Sequence, residues 1–302
     1  MNTSRRTFLK NTAFTVAGAA FFNNQLFAFQ RKNEIVGIQL YSVREDMKKD
    51  PKGTMQQIAE IGYKDVEHAN YVDGKFYVYS PGEFKKVLDD LGLSMSSGHT
   101  VLKRDHYNAS QKEFTDEWKK LVDDAAVVGQ IYVISPSMEE SARRSYDDLV
   151  SFMEVFNKSG ELCQKAGMKF GYHNHAFEFS ERLNNQTLYD IILKNTDPDL
   201  VVHQLDIGNM VGGGGEAMEI LKRYPGRFEL MHVKDVIPVN DSKYESTIIG
   251  TGRVGTKEVM DWGRKSGGTR HFVVEQEAYQ DNTPLEAARK NFQIMKQWGY
   301  IS

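Results

Sequence analysis

Apolar positions along this chain alternate between two patterns. Short apolar runs typical of buried strands recur eight times, at residues 36–40, 63–67, 93–97, 131–134, 169–173, 201–206, 228–232 and 272–275. Longer segments with apolar residues three and four apart, as in amphipathic helices, lie at residues 51–61, 81–91, 114–128, 146–166, 187–194, 216–223, 256–265 and 284–298. This alternation predicts repeated strand–helix units.

Four glycines mark junctions where a predicted helix ends and the next strand begins: Gly62, Gly92, Gly129 and Gly167. Glycine readily adopts the left-handed conformation that closes a helix and turns the chain back. Strand–helix repeats of this kind require a parallel sheet. Eight strands and eight helices predict an α/β fold, a closed (β/α)8 TIM barrel over residues 31–302. An open doubly wound sheet is the alternative, but no GxGxxG motif follows the first strand.

The first thirty residues differ from the rest of the chain. Residues 4–10 read Ser-Arg-Arg-Thr-Phe-Leu-Lys, which resembles a twin-arginine export motif, and the apolar run at 13–22 is too short to span a bilayer. We therefore expect residues 1–30 to be an export signal, and the protein to be periplasmic without stable membrane insertion after signal removal. A basic tail before an amphipathic helix is the alternative.

The charge balance and the single cysteine narrow the class of protein. The formal net charge is −3, and no basic run is interleaved with aromatic residues, so we expect no nucleic-acid partner. Cys163 can form no internal disulfide and is expected in the core. An oligomer is compatible with this composition.

Polar side chains gather where the predicted strands end, and these ends face the active site of a (β/α)8 barrel. The set is Gln39, Glu67, His68, His99, His173, His175, Gln204, Asp206, His232, Lys234, Glu275 and Glu277. Residues two apart share a face of a strand, so one can bind a metal while the next faces substrate. Imidazoles and carboxylates converging from several strands predict a site for one divalent ion, Mn, Co, Ni or Zn.

These residues also have structural interpretations. A histidine such as His99 or His173 often only forms hydrogen bonds within a barrel, and Asp206 could cap the turn at Ile207. Glu275 is different because it ends a buried strand, where a carboxylate needs a cation or hydrogen-bond donors. No local metal signature such as HExxH is present, so spacing alone leaves the ligand set open.

The strand-end motifs resemble those of the xylose isomerase-like barrel family, from Gly-Ile-Gln-Leu-Tyr-Ser-Val-Arg at 37–44 to Val-Glu-Gln-Glu at 274–277. That family includes sugar and sugar-phosphate isomerases and epimerases, inosose dehydratases and endonuclease IV relatives. The resemblance implies four metal ligands: His173, Asp206, His232 and Glu275. His173 stands where many relatives have glutamate, which argues against a symmetrical two-glutamate epimerase. Asn209 replaces a histidine of the endonuclease relatives, which argues against a phosphodiesterase.

The resemblance implies a metal-dependent sugar isomerase or epimerase that removes a proton beside a carbonyl and forms an enediolate. Three residues are candidates to move the proton: Glu275, Glu178 and His175. Four are candidates to bind a sugar or keto-sugar: Glu67, His99, Lys234 and Gln39. A lyase or dehydratase on 3-keto-sugars, 3-keto-glycosides or inososes is the alternative, because the same enediolate can expel a substituent. A non-catalytic sugar-binding barrel is a third possibility.

Overall fold

A computed structural model describes residues 34–240 and 243–301 of the protein. Eight parallel strands close into a barrel in chain order: β1 (Ile35–Gln39), β2 (Asp65–His68), β3 (Ser94–His99), β4 (Tyr132–Ser135), β5 (Lys169–His173), β6 (Val201–Asp206), β7 (Leu230–Val233) and β8 (His271–Val274). The predicted (β/α)8 fold is confirmed, and the open doubly wound alternative is wrong. The predicted export signal at residues 1–30 lies outside the described residues.

A helix follows every barrel strand: α1 (Pro51–Ile61), α2 (Pro81–Asp90), α3 (Asp116–Val128), α4 (Tyr146–Lys165), α5 (Leu188–Asn195), α6 (Ala217–Arg223), α7 (Thr256–Trp262) and α8 (Pro284–Gln297). Proline occupies the first turn of α1, α2 and α8, where its missing N–H costs no helical hydrogen bond. The four predicted junction glycines all have positive φ, between 63° and 125°. Left-handed glycines therefore end these helices as predicted.

Short elements that the sequence patterns did not predict occupy the loops after the barrel strands. They include four antiparallel hairpins, Tyr71–Val72 with Lys75–Phe76, Tyr107–Asn108 with Glu113–Phe114, Arg182–Leu183 with Gln186–Thr187, and Asp235–Asn240 with Lys243–Thr247. They also include the short helices Leu40–Val43, Arg44–Lys49, Arg104–His106, Glu140–Arg143, Phe177–Ser180 and Ile207–Gly212. A further helical turn, Gly263–Gly267, directly follows α7 and precedes β8. Because these loops leave the carboxyl ends of the strands, the hairpins surround the functional face of the barrel.

Apolar side chains fill the layer between barrel and helices, and a second small cluster fills the barrel interior. The interior cluster consists of Tyr132, Ile134, Val202 and Leu230. Val202 shares its strand face with Gln204 and Asp206, so this apolar layer lies beneath the polar strand ends. Cys163 is fully buried in α4, as expected, and burial raises the pKa of its thiol to about 12. In the part of the chain that the structure describes, no helix has both the length and the apolar character to cross a bilayer.

Candidate active site and metal centre

The four residues that the resemblance implied as ligands converge at the carboxyl ends of β5 to β8. Strand register sets their level, because Asp206 lies opposite His232 and Gln204 lies opposite His173 in the parallel ladder. One ligand atom from each of His173, Asp206, His232 and Glu275 lies within 4.8 Å of the others. All four side chains are buried. Two imidazole nitrogens and two carboxylate oxygens are thus brought to one point.

His232 is held between two carboxylates. Its Nδ1 lies 3.1 Å from Glu275 Oε2, and its Nε2 lies 2.6 Å from Glu67 Oε1. Burial alone would lower the pKa of His232, but the charges of Glu67 and Glu275 raise it to about 10. The hydrogen bond to Glu67 fixes the ring so that Nδ1 faces the ligand cluster.

His173 is oriented in the same way by an amide. Its Nδ1 lies 3.1 Å from Gln204 Oε1, while Nε2 faces Asp206 Oδ2 at 3.9 Å. Gln204 in turn donates from Nε2 to Glu67 Oε2 at 2.7 Å. His99 Nε2 lies 2.7 Å from the same Gln204 oxygen. Glu67 and Gln204 therefore form a continuous hydrogen-bonded support behind the two histidines of the candidate ligand set.

Glu67 and Gln39, two of the predicted substrate-binding residues, lie behind the cavity wall. Both are fully buried and neither lines the cavity, and their contact with substrate stays a prediction. Gln39 Nε2 donates to Glu67 Oε1 at 2.8 Å, and Ser97 Oγ donates to Glu67 Oε2. Burial acts to raise the pKa of Glu67, but the charges of His99 and His232 hold it well below its usual range. The anionic carboxylate supports the ligands from behind.

Asp206 is placed both to cap a turn and to act as a candidate metal ligand, the two roles that the sequence suggested for it. Its Oδ1 accepts the Asn209 backbone N–H at 2.7 Å, which caps the short helix Ile207–Gly212. Its backbone N–H and C=O both bond to the side chain of Asn174, at 3.0 Å each. The other carboxylate oxygen, Oδ2, is buried and forms an ion pair with the Lys234 ammonium at 2.9 Å. Asp206 is therefore a cap that keeps one oxygen directed at the cluster.

Lys234 places its ammonium among three carboxylates. Nζ lies 2.9 Å from Asp206 Oδ2, 2.7 Å from Glu275 Oε2 and 2.5 Å from Glu277 Oε1. Burial would lower the pKa of Lys234, but these carboxylates raise it well above its usual value. Burial likewise acts to raise the pKa of Glu275, whereas Lys234 and His232 hold it well below the usual range. The ammonium thus balances the negative charge of two candidate ligands.

A cavity of about 450 Å³ opens above the cluster. Its inner wall is polar and includes His99, His173, His175, Asn209, Lys234, Glu275 and Glu277. The predicted substrate candidates His99 and Lys234 therefore do face the cavity. Four other lining residues come from loops and were therefore not predicted from the sequence: Tyr71, Val72, Pro136 and Ser137. The Asp-Gly pair at 73–74 was the available signal, since it is a typical two-residue hairpin turn.

The sequence model of the xylose isomerase-like TIM barrel family matches residues 55–298. The chain belongs to this family. It is 26% identical over 195 residues to an inosose dehydratase of Geobacillus kaustophilus (strain HTA426), which is 60% of this chain and 61% of that protein. The chain thus matches about three fifths of the length of this curated relative.

Solved structures of two other proteins share the fold of this xylose isomerase-like barrel. A sugar phosphate isomerase/epimerase from Parabacteroides distasonis ATCC 8503 superposes with a TM-score of 0.76 at 29% identity, covering 89% of this chain and 96% of that one. The IOLI protein with a bound zinc atom superposes with a TM-score of 0.68 at 12% identity, covering 89% and 99%.

The donor set of this xylose isomerase-like barrel fits a divalent metal ion. Mixed imidazole and carboxylate ligands suit Mn, Co, Ni and Zn. Ligating histidines usually donate their second N–H to a carboxylate or carbonyl, as His232 and His173 are placed to do here. Asp206 Oδ2 is a buried carboxylate oxygen beside His173 Nε2 whose partner is the Lys234 ammonium, so a cationic neighbour is already favoured at this point. The four residues could therefore hold one such ion.

The remaining catalytic candidates occupy different depths. His175 lines the cavity, and its Nδ1 is buried without a hydrogen-bond partner. Burial, followed by the charge of Lys234, lowers the pKa of His175 to about 4. Glu178 is fully buried behind it and does not line the cavity. Glu178 Oε2 accepts the His175 backbone N–H at 2.9 Å, and Oε1 accepts the Tyr172 hydroxyl at 2.5 Å. Glu178 thus positions the segment that carries His175, and its role in proton transfer stays a prediction.

Proposed function

We propose that this chain is a metal-dependent enzyme that removes a proton from the carbon beside the carbonyl of a keto-sugar or keto-polyol. The observation that carries this proposal is the convergence of His173, Asp206, His232 and Glu275 in one buried cluster, of which His173 and Glu275 line the cavity. These four residues would hold one divalent ion. Zinc is the first ion to test, because the IOLI neighbour contains it.

When bound, such an ion would polarise the carbonyl oxygen and stabilise negative charge that develops on it. The protein's own side chains would do the rest. The Lys234 ammonium and the Asn209 amide face the cavity and can donate hydrogen bonds to substrate oxygens. The His175 imidazole lines the cavity and is the candidate to take the proton. Glu67 and Gln204 keep the ligand histidines in place.

The arrangement favours isomerisation by a single base over epimerisation. An epimerase needs acid or base groups on both faces of the reacting carbon, and here Glu67 and Glu178 lie behind the cavity wall. Glu275 and Glu277 do line the cavity, but both are paired with Lys234. Isomerisation requires one proton-transfer group on one face, which His175 can supply.

Elimination is the second candidate reaction, because it also needs only one base. The inosose dehydratase name of the curated relative favours this alternative. A deprotonated intermediate can lose water or another substituent from the next carbon instead of taking the proton back. The product therefore separates the two reactions.

Deuterium uptake and product analysis test the proposal. Full-length protein supplied with Mn, Co, Ni or Zn is incubated with keto-sugars and inososes in deuterated water, and products are analysed by NMR and mass spectrometry. Deuterium in the carbon framework is expected for isomerisation, because a carbon is reprotonated there, and loss of water or a substituent identifies elimination. His175→Ala should lose deuterium uptake but keep its metal, whereas His271→Gln, altered at the opposite end of the barrel, should keep both. Metal-loaded protein that neither introduces deuterium at a substrate carbon nor eliminates a substituent would refute the proposal.

We further propose that the protein is exported to the periplasm, on the strength of the Arg5-Arg6 motif and the apolar run that follows it. Residues 1–30 fused to a reporter should direct that reporter out of the cytoplasm. The Arg5→Lys, Arg6→Lys double variant is the matched control and should retain it. A wild-type fusion that stays in the cytoplasm would overturn the proposal.

A further inference from the structure

The cavity above the ligand cluster changes character toward its mouth. The inner end is polar, whereas the outer wall carries a set of largely apolar side chains: Tyr41, Tyr71, Val72, Val101 and Pro136. Its volume of about 450 Å³ falls in the range of roughly 300 to 1,000 Å³ that accommodates drug-sized ligands. A single sugar ring over the ligands would leave the outer wall without a partner.

Two residues of this wall are exposed to an unusual degree for their type. Val72 is 56% exposed and Tyr41 is 42% exposed, which places both among the exposed large hydrophobic residues of the described chain. Apolar surface that remains in contact with water beside a polar site is typical of a binding surface. The exposure therefore points to a ligand group that covers it.

The wall is held rigidly. The Arg44 guanidinium lies 4.7 Å from the centre of the Tyr41 ring, and the Tyr41 N–H donates to Gln39 Oε1 at 3.1 Å. Val72 lies on the hairpin with the Asp73-Gly74 turn, whose residues both have positive φ. The hydroxyl of the adjacent Tyr71 donates to Asp124 on α3 at 2.6 Å. A surface fixed before binding loses little entropy when a ligand packs on it.

Charge argues against a phosphate in this cavity. None of its lining residues is an arginine, and Lys234 is balanced by three carboxylates. A neighbouring cavity shares Asn209, Lys234 and Glu277 and contains Arg44 and Lys243.

The cations of that neighbouring cavity already have partners. Arg44 donates to the Tyr41 carbonyl, the Tyr279 hydroxyl and the Glu277 carbonyl, at 3.0 to 3.2 Å. Lys243 pairs with Glu245 at 3.2 Å. A phosphate needs charged donors that are free to form bidentate or multiple hydrogen bonds.

We propose that the outer wall is a subsite for an uncharged aromatic substituent, so that the substrate is an aryl glycoside of a keto-sugar and not a sugar phosphate. The aromatic ring would pack between Tyr41 and Val72 while the keto-sugar ring lies over the four ligands. Aromatic and aliphatic side chains offer such a ring both stacking and apolar contact. This inference rests on the proposed function, because it needs the sugar ring in that position.

Calorimetric binding to the full-length, metal-supplied protein tests the subsite. The probes are phenyl 3-keto-glucoside, methyl 3-keto-glucoside and glucose 6-phosphate. We expect the phenyl compound to bind about tenfold more tightly than the methyl compound, since its ring removes apolar surface from water. Val72→Ser should bring this ratio close to one. The matched control is Val127→Ser, because Val127 is 53% exposed on α3 and lines neither cavity; it should keep the wild-type ratio.

Each other outcome counts against the subsite. Equal affinities for the phenyl and methyl compounds, or tighter binding of glucose 6-phosphate than of either, would overturn it. If deuterium uptake from keto-sugars persists in that case, only the subsite is refuted. If neither glycoside binds and no keto-sugar exchanges deuterium or loses a substituent, the proposed function is refuted as well.

Discussion

Glu67 accepts hydrogen bonds from side chains on four other positions around the barrel, although it never reaches the cavity. His232 comes from β7, Gln204 from β6, Ser97 from β3 and Gln39 from β1. Such a carboxylate behind a ligand histidine fixes the orientation of the ring and raises the basicity of its metal-facing nitrogen. The role of Glu67 is therefore to position His232, and it depends on partners that are far apart in sequence.

Replacement of Glu67 by glutamine should weaken metal binding without removing a ligand. Outer partners of metal-binding histidines typically contribute about ten- to a hundredfold in affinity, and we expect a loss of that size in a metal titration. Asp65→Asn is the matched control, because Asp65 is buried on the same strand but bonds to Ser94, Ser96 and His271 at the other end of the barrel. Equal weakening in both variants would contradict this role.

Glu178 should make the stability of the fold depend on pH. Burial raises the pKa of Glu178 from 4.5 to about 7. Between those values the folded protein holds a proton that the unfolded chain releases, so stability falls as pH rises through this window. Between pH 5 and pH 8, the free energy of unfolding of Glu178→Gln should therefore rise by roughly 3 kcal/mol relative to that of wild type. Urea unfolding at both pH values measures this, with Glu181→Gln as the exposed control, and an unchanged pH dependence would count against it.

At the scale of elements, the segment after β6 closes tightly against the segment after β5. A Cβ at Gly213 would lie 2.2 Å from the Ala176 carbonyl oxygen, whereas at Gly212 the nearest atom is 3.9 Å away. Ala176 directly follows His175, the candidate base. The position of His175 thus depends on the absence of a side chain at Gly213.

Gly213→Ala should displace the segment that carries His175. We expect a loss of about 1 to 3 kcal/mol in the free energy of unfolding, typical of an overpacked contact, together with slower deuterium uptake. Gly212→Ala is the matched control one residue earlier, in the short helix Ile207–Gly212, and should preserve the uptake rate. Denaturant unfolding and the exchange assay measure the two effects, and identical behaviour of both variants would be evidence against the contact.

Long elements could be predicted from the sequence, and short ones could not. The eight barrel strands and their helices were predicted to within a few residues, because burial on both faces makes the strands apolar runs and burial of one face gives the helices a period of 3.6 residues. Hairpin strands such as Tyr71–Val72 have only two residues and carry no period. Their position over the mouth depends on tertiary contacts such as Tyr71 with Asp124.

For the whole molecule, barrel closure brings the site together. Parallel strands all end on one face, so the convergence of strand-end residues could be predicted, together with the ligand set that the family resemblance implied. The depth of each residue could not be predicted, because it depends on which neighbours cover the side chain. Glu67 and Glu178 lie behind the cavity wall, whereas His99 and His175 line the cavity. Loop residues such as Val72 were missed for the same reason.

Removal of the metal should lower the thermal stability of the whole barrel without unfolding it. An ion that binds only the folded state adds RT ln(1 + [L]/Kd), about 2.7 kcal/mol at a hundredfold excess over Kd. Without it, the Lys234 ammonium still balances Asp206 and Glu275. We expect a chelator to lower Tm by several degrees in wild type and to leave Asp206→Asn unaffected. The same shift in both proteins, measured by calorimetry, would speak against this site.

Metal stoichiometry tests the central claim most directly. Elemental analysis of purified full-length protein, after equilibration with Zn and removal of free ion, should give about one divalent ion per chain. Asp206→Asn and His232→Asn should each give close to none, while His271→Gln keeps the wild-type value. A wild-type chain that retains no ion, or an Asp206→Asn variant that retains a full one, would contradict the claim that these four side chains form a metal centre.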